Sequence, residues 1–510
     1  MKNKIRRDNL KVNFILQILY QIIILAIPLI QSPILTRALG DTSLGNFTYV
    51  NSIAYYFLIF AKLGIDRHGQ RIIATNRDDD VELRKKFWSL FVTHAVFSIF
   101  SLFAYLIVST FISSENKTLF LINGLYVASV LFDITWLFYG LETFKSVVLK
   151  NLFIKVIEFV LIIFLIKSPQ DINLYAVIFC GGTLLGNVLL WPTIFKNIKP
   201  TKFSFSDCLI HIKPLLILSI SSIAASLYTM FDKTLLGILS SKESVAYYEF
   251  ANKIVNVPKA FTAVVGTVLF PRACALAAKG DSSGQRLFTE YAFLFVSFIS
   301  FSSAFLLLSF GPDFSVLYYG EVFIESGRLM QCMGWLVYIV GIGDVVRNVY
   351  LIPMHKDLSY VICICINAVI NIVLSIILIP VLGVYGAVIG TISAETFGLV
   401  YQLILSRKEK PFGMLMKATS IYATIGLLMF ATIIGLKSIM EDGWKYMLIE
   451  FIIGVSIYLI LSGISILIFY PGIRKKIKEK IVKIRYKNMS ESINNDNTGG
   501  NHTNVNETDN

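Results

Sequence analysis

The sequence predicts an all-α polytopic membrane protein, and three observations support that prediction. Hydrophobic residues make up 55% of the 510-residue chain, and the mean hydropathy is +0.68. Charged residues account for only 15%, against about 25% in a typical soluble domain. Apolar runs of about 20 residues, long enough to cross a bilayer, recur along almost the whole chain. In order, the fourteen runs are 14–35, 44–65, 87–111, 118–140, 146–166, 173–195, 214–238, 245–270, 287–310, 329–351, 358–380, 382–405, 417–436 and 446–469.

The first run is interpreted as a retained membrane span. It follows the basic start MKNKIRR, as a signal peptide would, but it is longer than the apolar region of such a peptide. Pro28 and Gln31 also stand where cleavage would need small residues. We therefore expect the mature chain to keep this segment as its first span.

The distribution of basic residues predicts the orientation, because basic loops stay on the cytoplasmic side. With a cytoplasmic N-terminus, the inner segments hold 34 of the 46 lysines and arginines, and the outer loops hold seven. Both termini are then cytoplasmic. The net charge of +13 is explained by this topology and by attraction to anionic lipids, so nothing indicates a nucleic-acid partner.

The connections between the runs are too short to hold a separate catalytic domain. None exceeds about 20 residues, and the tail NNDNTGGNHTNVNETDN is polar and free of aromatic residues, a composition typical of disorder. These features argue against a polysaccharide polymerase or a membrane glycosyltransferase. The six cysteines are scattered along the chain, so we expect no metal site and no cofactor.

An internal repeat predicts two similar halves. The segment LGDTSLGNFTYVNSI (39–53) aligns with LSSKESVAYYEFANKI (239–254) with one inserted residue, pairing Asn51 with Asn252. Runs 1 and 2 then correspond to runs 7 and 8, which gives two halves of the same orientation, as in transporters that bind at the interface between repeats. The predicted organisation is an N-terminal six-span lobe at 1–205, a C-terminal six-span lobe at 206–405, two further spans at 406–470 and a basic, then disordered, cytoplasmic tail at 471–510.

Polar residues lie along single faces of several predicted spans. Ser219, Ser222, Ser226, Thr229 and Lys233 fall within an arc of about 80°, while Asp232 lies about 100° to one side and is predicted to face another helix. Similar faces contain Asn51, Tyr55, Lys62 and Asp66 in run 2, Asn151, Lys155 and Glu158 in run 5, Glu249, Asn252, Lys253, Asn256 and Lys259 in run 8, and Asp344, Arg347 and Asn348 in run 10.

These faces predict a water-filled cavity between the halves, because ionisable residues inside membrane spans usually face such a cavity or one another. Helix association through paired polar side chains is the alternative. Basic and acidic residues within or beside the spans are equal in number, seven of each. The predicted cavity is therefore not a simple cationic funnel.

Three stretches resemble a known family. PILTRALGDTSLGNFTYVNSIAYYFLIFAKLGIDRHGQRIIATNRDD (33–79), FDKTLLGILSSKESVAYYEFANKI…LFPR (231–272) and INIVLSIILIPVLGVYGAVIGTISAE (370–395) are similar, in this order, to the Wzx-type polysaccharide flippases. These belong to the multidrug/oligosaccharidyl-lipid/polysaccharide exporter superfamily. The resemblance covers the first twelve predicted spans.

The resemblance implies a carrier that moves undecaprenyl-pyrophosphate-linked oligosaccharide from the inner to the outer leaflet of the bacterial cytoplasmic membrane by alternating access, for O-antigen or capsule synthesis. It implies no enzymatic activity, and it makes the polymerase and chain-length regulator of that pathway candidate partners. The matching lumen residues for pyrophosphate and sugar are Arg37, Lys62, Lys155, Lys233, Lys253 and Lys259. The acidic residues open to a role in ion coupling are Asp133, Glu158, Asp232, Glu249, Asp344 and Glu395.

Two alternatives remain open at this point. A proton- or sodium-coupled drug or cation antiporter of the same superfamily would share the twelve-span core. A membrane enzyme of glycan assembly is disfavoured by the short loops, by only five scattered histidines and by the lack of two aqueous carboxylates placed for sugar chemistry.

Overall fold

The computed structural model describes residues 10–111, 116–354, 356–407, 411–441 and 443–470, and shows an all-α multi-pass membrane protein. The predicted tail at 471–510 lies outside the described residues. Within them the structure contains seventeen α-helices: α1 Leu10–Lys62, α2 Ile65–Asn76, α3 Asp80–Phe111, α4 Lys117–Ala128, α5 Thr135–Gly140, α6 Phe144–Leu165, α7 Ile172–Val188, α8 Trp191–Asn197, α9 Phe205–Leu239, α10 Lys242–Ala278, α11 Ser282–Tyr319, α12 Ile324–Met333, α13 Leu336–Val346, α14 Asp357–Leu382, α15 Val384–Leu405, α16 Pro411–Lys437 and α17 Trp444–Phe469.

Helix α1 contains the first two predicted spans. Its two sections meet at Gly40, whose φ of 73° and ψ of −179° are not helical and are readily adopted by glycine alone. At the other end of α1, Leu63 and Gly64 both have positive φ. The short helix α2 begins directly after them, at Ile65. Asp66 therefore lies on α2, and the prediction that it continues the helical face of Lys62 is wrong. A backbone turn separates the two residues.

Two other predicted spans are broken where polar residues occur. In the run at 118–140, α4 passes into a 3₁₀ segment, Ser129–Phe132, and Asp133 is extended before α5 begins. In the run at 329–351, the segments Glu321–Met333 and Leu336–Leu351 meet at an angle of 41°, and a π-helical turn, Arg347–Leu351, follows α13. Such interruptions free backbone groups and often mark functional positions.

The predicted runs all fall on helical segments. Among the described residues, nine helices are long and apolar enough to cross a membrane, or ten if the bent pair is one span. α1 counts once although it contains two runs. α6, α9 and α10 are not in that count but are 22, 35 and 37 residues long, against about 20 needed for a bilayer. The number fourteen stays a prediction.

The chain divides into two compact units, Met1–Met416 and Lys417–Asn510. In the second unit, Gly454 of α17 faces Ile433 of α16, and the Lys417 ammonium donates to the Phe469 carbonyl at 3.1 Å. The first unit contains both predicted halves, and their division at residue 205 stays a prediction. We refer below to residues 10–205 as the first half and to 206–405 as the second half.

Inside the first unit, the two segments of the predicted repeat contact each other. Gly45 of α1 packs against the backbone of Lys242, the first residue of α10. The Thr42 hydroxyl donates to Glu243 Oε1 at 2.7 Å, and the Tyr247 hydroxyl donates to Asp41. A residue with a Cβ at position 45 would meet the Lys242 carbonyl, so this close approach depends on glycine.

Candidate functional site

A polar cavity of about 230 Å³ lies between the two halves. Helices α1, α6 and α7 of the first half and α9 and α10 of the second half form its walls. We call it the central cavity. Its polar lining residues are Gln31, Thr48, Asn51, Ser52, Lys155, Glu158, Tyr175, Lys233, Glu249 and Lys253.

Two of the three lysines in the central cavity are paired with carboxylates. Lys155 Nζ lies 2.6 Å from Glu158 Oε2, one turn along α6, and Lys233 Nζ of α9 lies 2.5 Å from Glu249 Oε2 of α10. Lys253 instead lies over the Phe250 ring, 4.0 Å from its centroid, and forms no ion pair within the described part of the chain. With all groups ionised, this cavity has a net charge of +1, three lysines against two glutamates.

Glu158 has one oxygen that is not satisfied. The residue is 3% exposed, and although Oε2 meets Lys155, Oε1 has no hydrogen-bond partner among the described residues. A buried carboxylate oxygen without a donor is costly. A proton, a cation or a polar ligand at this oxygen would remove the cost.

A second cavity, of about 550 Å³, lies within the first half. We call it the first-half cavity. It shares α1, α6 and α7 with the central cavity but uses residues farther along α1 and closer to the start of α6. Its polar lining residues are Tyr55, Lys62, Asp66, Arg67, Tyr126, Ser129, Asp133, Thr135, Tyr139, Lys150, Asn151, Thr183 and Asn187.

Three charged residues of the first-half cavity, Lys62, Asp133 and Asp66, form a network that we call closed because each has a charged partner, and Lys150 lies outside it. The Lys62 ammonium lies 2.9 Å from Asp133 Oδ2 and 3.5 Å from Asp66 Oδ2. The other Asp133 oxygen accepts hydrogen bonds from the backbone N–H and the hydroxyl of Thr135, at 3.1 and 2.6 Å. This network joins the end of α1, the start of α2 and the break before α5.

Asp232 lines neither cavity. It is 3% exposed and accepts hydrogen bonds from three hydroxyls, those of Tyr248 at 2.8 Å, Thr391 at 2.7 Å and Ser375 at 3.3 Å. These donors come from α10, α15 and α14. The neighbouring Lys233 points into the central cavity, so the two adjacent residues serve different helix contacts.

The remaining predicted site residues lie outside both cavities. Arg37 donates to the Leu317 carbonyl of α11 at 2.7 Å. Asp344 pairs with Arg347 at 2.8 Å, and Lys259 interacts electrostatically with Asp344 and Glu395. The structure therefore gathers Lys155, Glu158, Lys233, Glu249 and Lys253 in one cavity, and Lys62 with Asp133 in another.

Sequence reasoning missed Lys150 as a cavity residue. Its ammonium lines the first-half cavity and donates to Asn187 Oδ1 of α7 at 3.3 Å. The sequence places it with the cytoplasmic basic residues because it lies near the start of its span. Its neighbour Asn151 was already on a predicted polar face, and that adjacency was the available signal.

The comparisons with known proteins agree with this fold. The family described as "Polysaccharide biosynthesis protein" matches residues 10–276, slightly more than half of the chain. A candidate O-antigen transporter of Shigella dysenteriae is 26% identical over 288 residues, which cover 56% of this chain and 71% of that protein.

Two solved structures show the same fold at low sequence identity. The lipid II flippase MurJ in an inward closed conformation matches with a TM-score of 0.70 and 18% identity, covering 89% of this chain and 98% of the other. An inward-facing multidrug resistance transporter of the MATE family, in the MOP superfamily, matches with a TM-score of 0.57 and 14% identity, covering 78% and 98%. The resemblance predicted from the three sequence stretches is confirmed, and the chain belongs to the polysaccharide biosynthesis protein family.

Proposed function

We propose that this chain is a flippase that moves an undecaprenyl-pyrophosphate-linked oligosaccharide from the inner to the outer leaflet of a bacterial cytoplasmic membrane, for O-antigen or capsule synthesis. The observation that carries the proposal is the central cavity, which both halves build and which contains three lysines. Family membership and the similarity to an O-antigen transporter support the substrate class. The fold shared with a lipid II flippase supports the mode of action.

The chemistry of the cavity suits a pyrophosphate diester, which carries two negative charges. Lysine meets phosphate as a point charge, and Lys253 is the cavity lysine with no carboxylate within ion-pair distance in the described part of the chain, although Glu249 lies near enough to attract it. Lys253 would make the first contact. Lys155 and Lys233 would then exchange their glutamates for phosphate oxygens, while the polyprenyl chain stays in the lipid.

Glu158 and Glu249 are proposed to couple transport to an ion. When a lysine binds phosphate, the glutamate that was paired with it is left without a positive partner inside the cavity. Uptake of a proton or a cation by that glutamate would balance its charge. The other four acidic candidates interact with partners outside the central cavity, and they are Asp133, Asp232, Asp344 and Glu395. We assign them to holding helices together, and Arg37, Lys62 and Lys259 are not assigned to pyrophosphate in this conformation.

Transport is proposed to proceed by alternating access. Fourteen spans in two parallel six-span lobes plus two further helices would allow the lobes to rock about a fixed site. The polymerase and chain-length regulator of the same pathway would act on the delivered repeat unit.

The test uses purified protein in liposomes that contain undecaprenyl-pyrophosphate-oligosaccharide with a fluorophore on the sugar. A membrane-impermeant reductant added outside reports how fast the protected inner fraction becomes accessible, under an imposed proton or sodium gradient. We expect protein-dependent movement. We also expect Lys253→Gln to slow it by about tenfold or more, because a charge-assisted contact to phosphate is lost.

Lys117→Gln serves as the matched control, because Lys117 is exposed at the start of α4 and lines neither cavity. Wild-type rates in the Lys253→Gln variant would contradict the binding role of Lys253. Gradient-driven efflux of a cationic dye, without movement of the lipid-linked sugar, would replace the flippase with the antiporter.

A further inference from the structure

Two buried histidines, His68 on α2 and His211 on α9, join the two halves at a place that the proposed function does not use. Each is 2% exposed, and their rings meet edge to face with centroids 5.2 Å apart. Helix α3 completes the contact, because its Thr93 hydroxyl donates to the Cys208 carbonyl of α9 at 3.2 Å. Neither histidine lines a cavity.

The hydrogen bonds around this pair have only one consistent direction. The Arg71 guanidinium can only donate, so His68 Nδ1 accepts its bond of 3.4 Å. His68 Nε2 therefore carries the hydrogen and donates to His211 Nδ1 at 3.1 Å. His211 Nε2 then donates to the Ser89 hydroxyl at 3.3 Å, which donates to the Lys86 carbonyl. This assignment from the network makes both imidazoles neutral.

A proton cannot bind either ring without breaking this chain. The free position on each ring is Nδ1, and each Nδ1 already accepts a hydrogen bond. If His211 took a proton at Nδ1, this N–H would face the N–H at His68 Nε2 across 3.1 Å, with no acceptor between them. If His68 took a proton at Nδ1, this N–H would face the N–H groups of the Arg71 guanidinium. The first change breaks the hydrogen bond between α2 and α9, and the second places a cation against a guanidinium.

The charged groups around the pair also disfavour a cation there. Arg71 of α2 and Lys86 of α3 face it with positive charge. The carboxylate of Asp207 on α9 acts on His211 with negative charge, but it lies 3.0 Å from Lys85 of α3 and accepts from the backbone N–H of Ser204. A protonated histidine would therefore gain little from Asp207.

The position of the pair relates it to opening of the transporter. The halves also meet at the start of the second section of α1, through Thr42 and Glu243, and the histidines lie just beyond the other end of that section. The two contacts are about 30 Å apart along the helix axis, at 1.5 Å per residue over 20 residues. The predicted topology places the histidine end on the cytoplasmic side.

We infer that His68 and His211 form a proton-binding latch, which holds the two halves together on the cytoplasmic side while both imidazoles are neutral and releases them when either takes a proton. The role in transport rests on the proposed function, but the latch itself does not. Its test therefore uses a structural readout that needs no substrate.

The native Cys208 reports the state of the latch. It is buried at the start of α9, against Thr93, whereas Cys274 is half-buried near the end of α10, beyond the predicted run at 245–270. The full-length protein is treated with N-ethylmaleimide at pH 7.5 and pH 5.5, and peptide mass spectrometry gives the ratio of Cys208 to Cys274 labelling, which cancels the intrinsic pH dependence of the reagent. We expect the ratio to rise by about tenfold at the lower pH, as local opening exposes a shielded thiol.

Two variants and one control complete the experiment. His68→Gln with His211→Gln removes both titrating rings, and the ratio should then not change with pH. His94→Gln is the control, because His94 is buried on α3 but bonds to the Val130 carbonyl, and its pH response should match the wild type. An equal ratio at both pH values in the wild-type protein overturns the latch, as does a pH response that survives in the double variant. Either result leaves the flippase proposal untouched, and loss of flipping in the liposome assay leaves the latch untouched.

Discussion

The central cavity and the first-half cavity use the same residue types but satisfy them differently. In the first-half cavity, Lys62 contacts two carboxylates, and Asp133 uses both of its oxygens. In the central cavity, one oxygen of Glu158 has no donor among the described residues, and Lys253 rests on an aromatic ring. A network in which every charge has a partner holds segments in place. A network that contains an unsatisfied carboxylate oxygen and a lysine outside any ion pair still has groups that can bind a ligand.

The strongest test of this comparison removes one carboxylate from the closed network around Lys62. Asp133→Asn leaves Lys62 with only the more distant Asp66, inside a mostly buried site where Asp133 has a side-chain exposure of 9%. Removing one partner of a buried pair costs about 3–5 kcal/mol. Because Lys62 is 30% exposed, we expect a loss of about 2–3 kcal/mol. The measurement is the midpoint of thermal unfolding of the purified protein in detergent.

Asp66→Asn is the matched control. Asp66 is 48% exposed and lies 3.5 Å from the same ammonium, so its loss should cost less than about 1 kcal/mol. Equal effects of the two variants would show that Lys62 depends no more on Asp133 than on Asp66, which would contradict the argument from burial.

The charge network of the central cavity predicts a gain of binding when one carboxylate is removed. Glu249→Gln removes the carboxylate that holds Lys233 at 2.5 Å, so the ammonium becomes available to an anion. We expect the affinity for inorganic pyrophosphate, measured by isothermal titration calorimetry, to rise about fivefold, which corresponds to about 1 kcal/mol. The unfolding midpoint should fall as well, because the side chains of Lys233 and Glu249 are only 12% and 20% exposed and removing one partner of a buried pair is destabilising.

Glu325→Gln provides the control for that measurement. Glu325 pairs with Arg328 within α12 and lines neither cavity, so its loss should leave pyrophosphate binding unchanged. Weaker binding in Glu249→Gln than in the wild-type protein would contradict the idea that this glutamate competes with phosphate for Lys233.

The sequence predicts the relative directions of site residues that lie on the same continuous helix, because helical phase fixes those directions. Lys233 and Asp232 differ by 100° about the axis of α9, and in the structure one lines the central cavity while the other meets hydroxyls of three helices. Phase fails where the backbone leaves the helix. Asp133 reaches Lys62 because the chain is extended at that point, and Asp66 reaches it across a turn at Leu63 and Gly64.

For a related reason, the sequence does not predict contacts between residues that are far apart in the chain. The repeat at 39–53 and 239–254 indicates that these segments correspond, but it does not indicate that they touch, and their contact depends on the packing of Gly45 against Lys242. The pairing of His68 with His211, 143 residues away, likewise depends on how α2, α3 and α9 meet. No periodicity within one helix specifies such a contact.

A third charge pair, between the starts of α3 and α9, gives the smallest expected effect. Asp207 contacts Lys85 at 3.0 Å, and its pKa is lowered to about 2, first by the hydrogen bond from the Ser204 backbone N–H and then by the Lys85 side chain. A carboxyl with a depressed pKa stabilises the folded state above its unfolded pKa of about 3.9, and this contribution disappears as the pH falls through about 2. Asp207→Asn should therefore lower the unfolding midpoint slightly at pH 7 and less at pH 3, and the effect should vanish only below about pH 2.

Salt separates the two causes of that stabilisation. In 0.5 M sodium chloride the Lys85 contribution is screened, while the bond from the Ser204 N–H, which caps α9, persists. Asp281→Asn is the matched control, because the pKa of Asp281 is lowered mainly by the Gly284 backbone N–H, and its effect should be less sensitive to salt. A wild-type midpoint at pH 7 in Asp207→Asn would mean that solvent replaces both contacts. Charge pairs would then stabilise this chain only where the helices exclude water, as they do around Lys62.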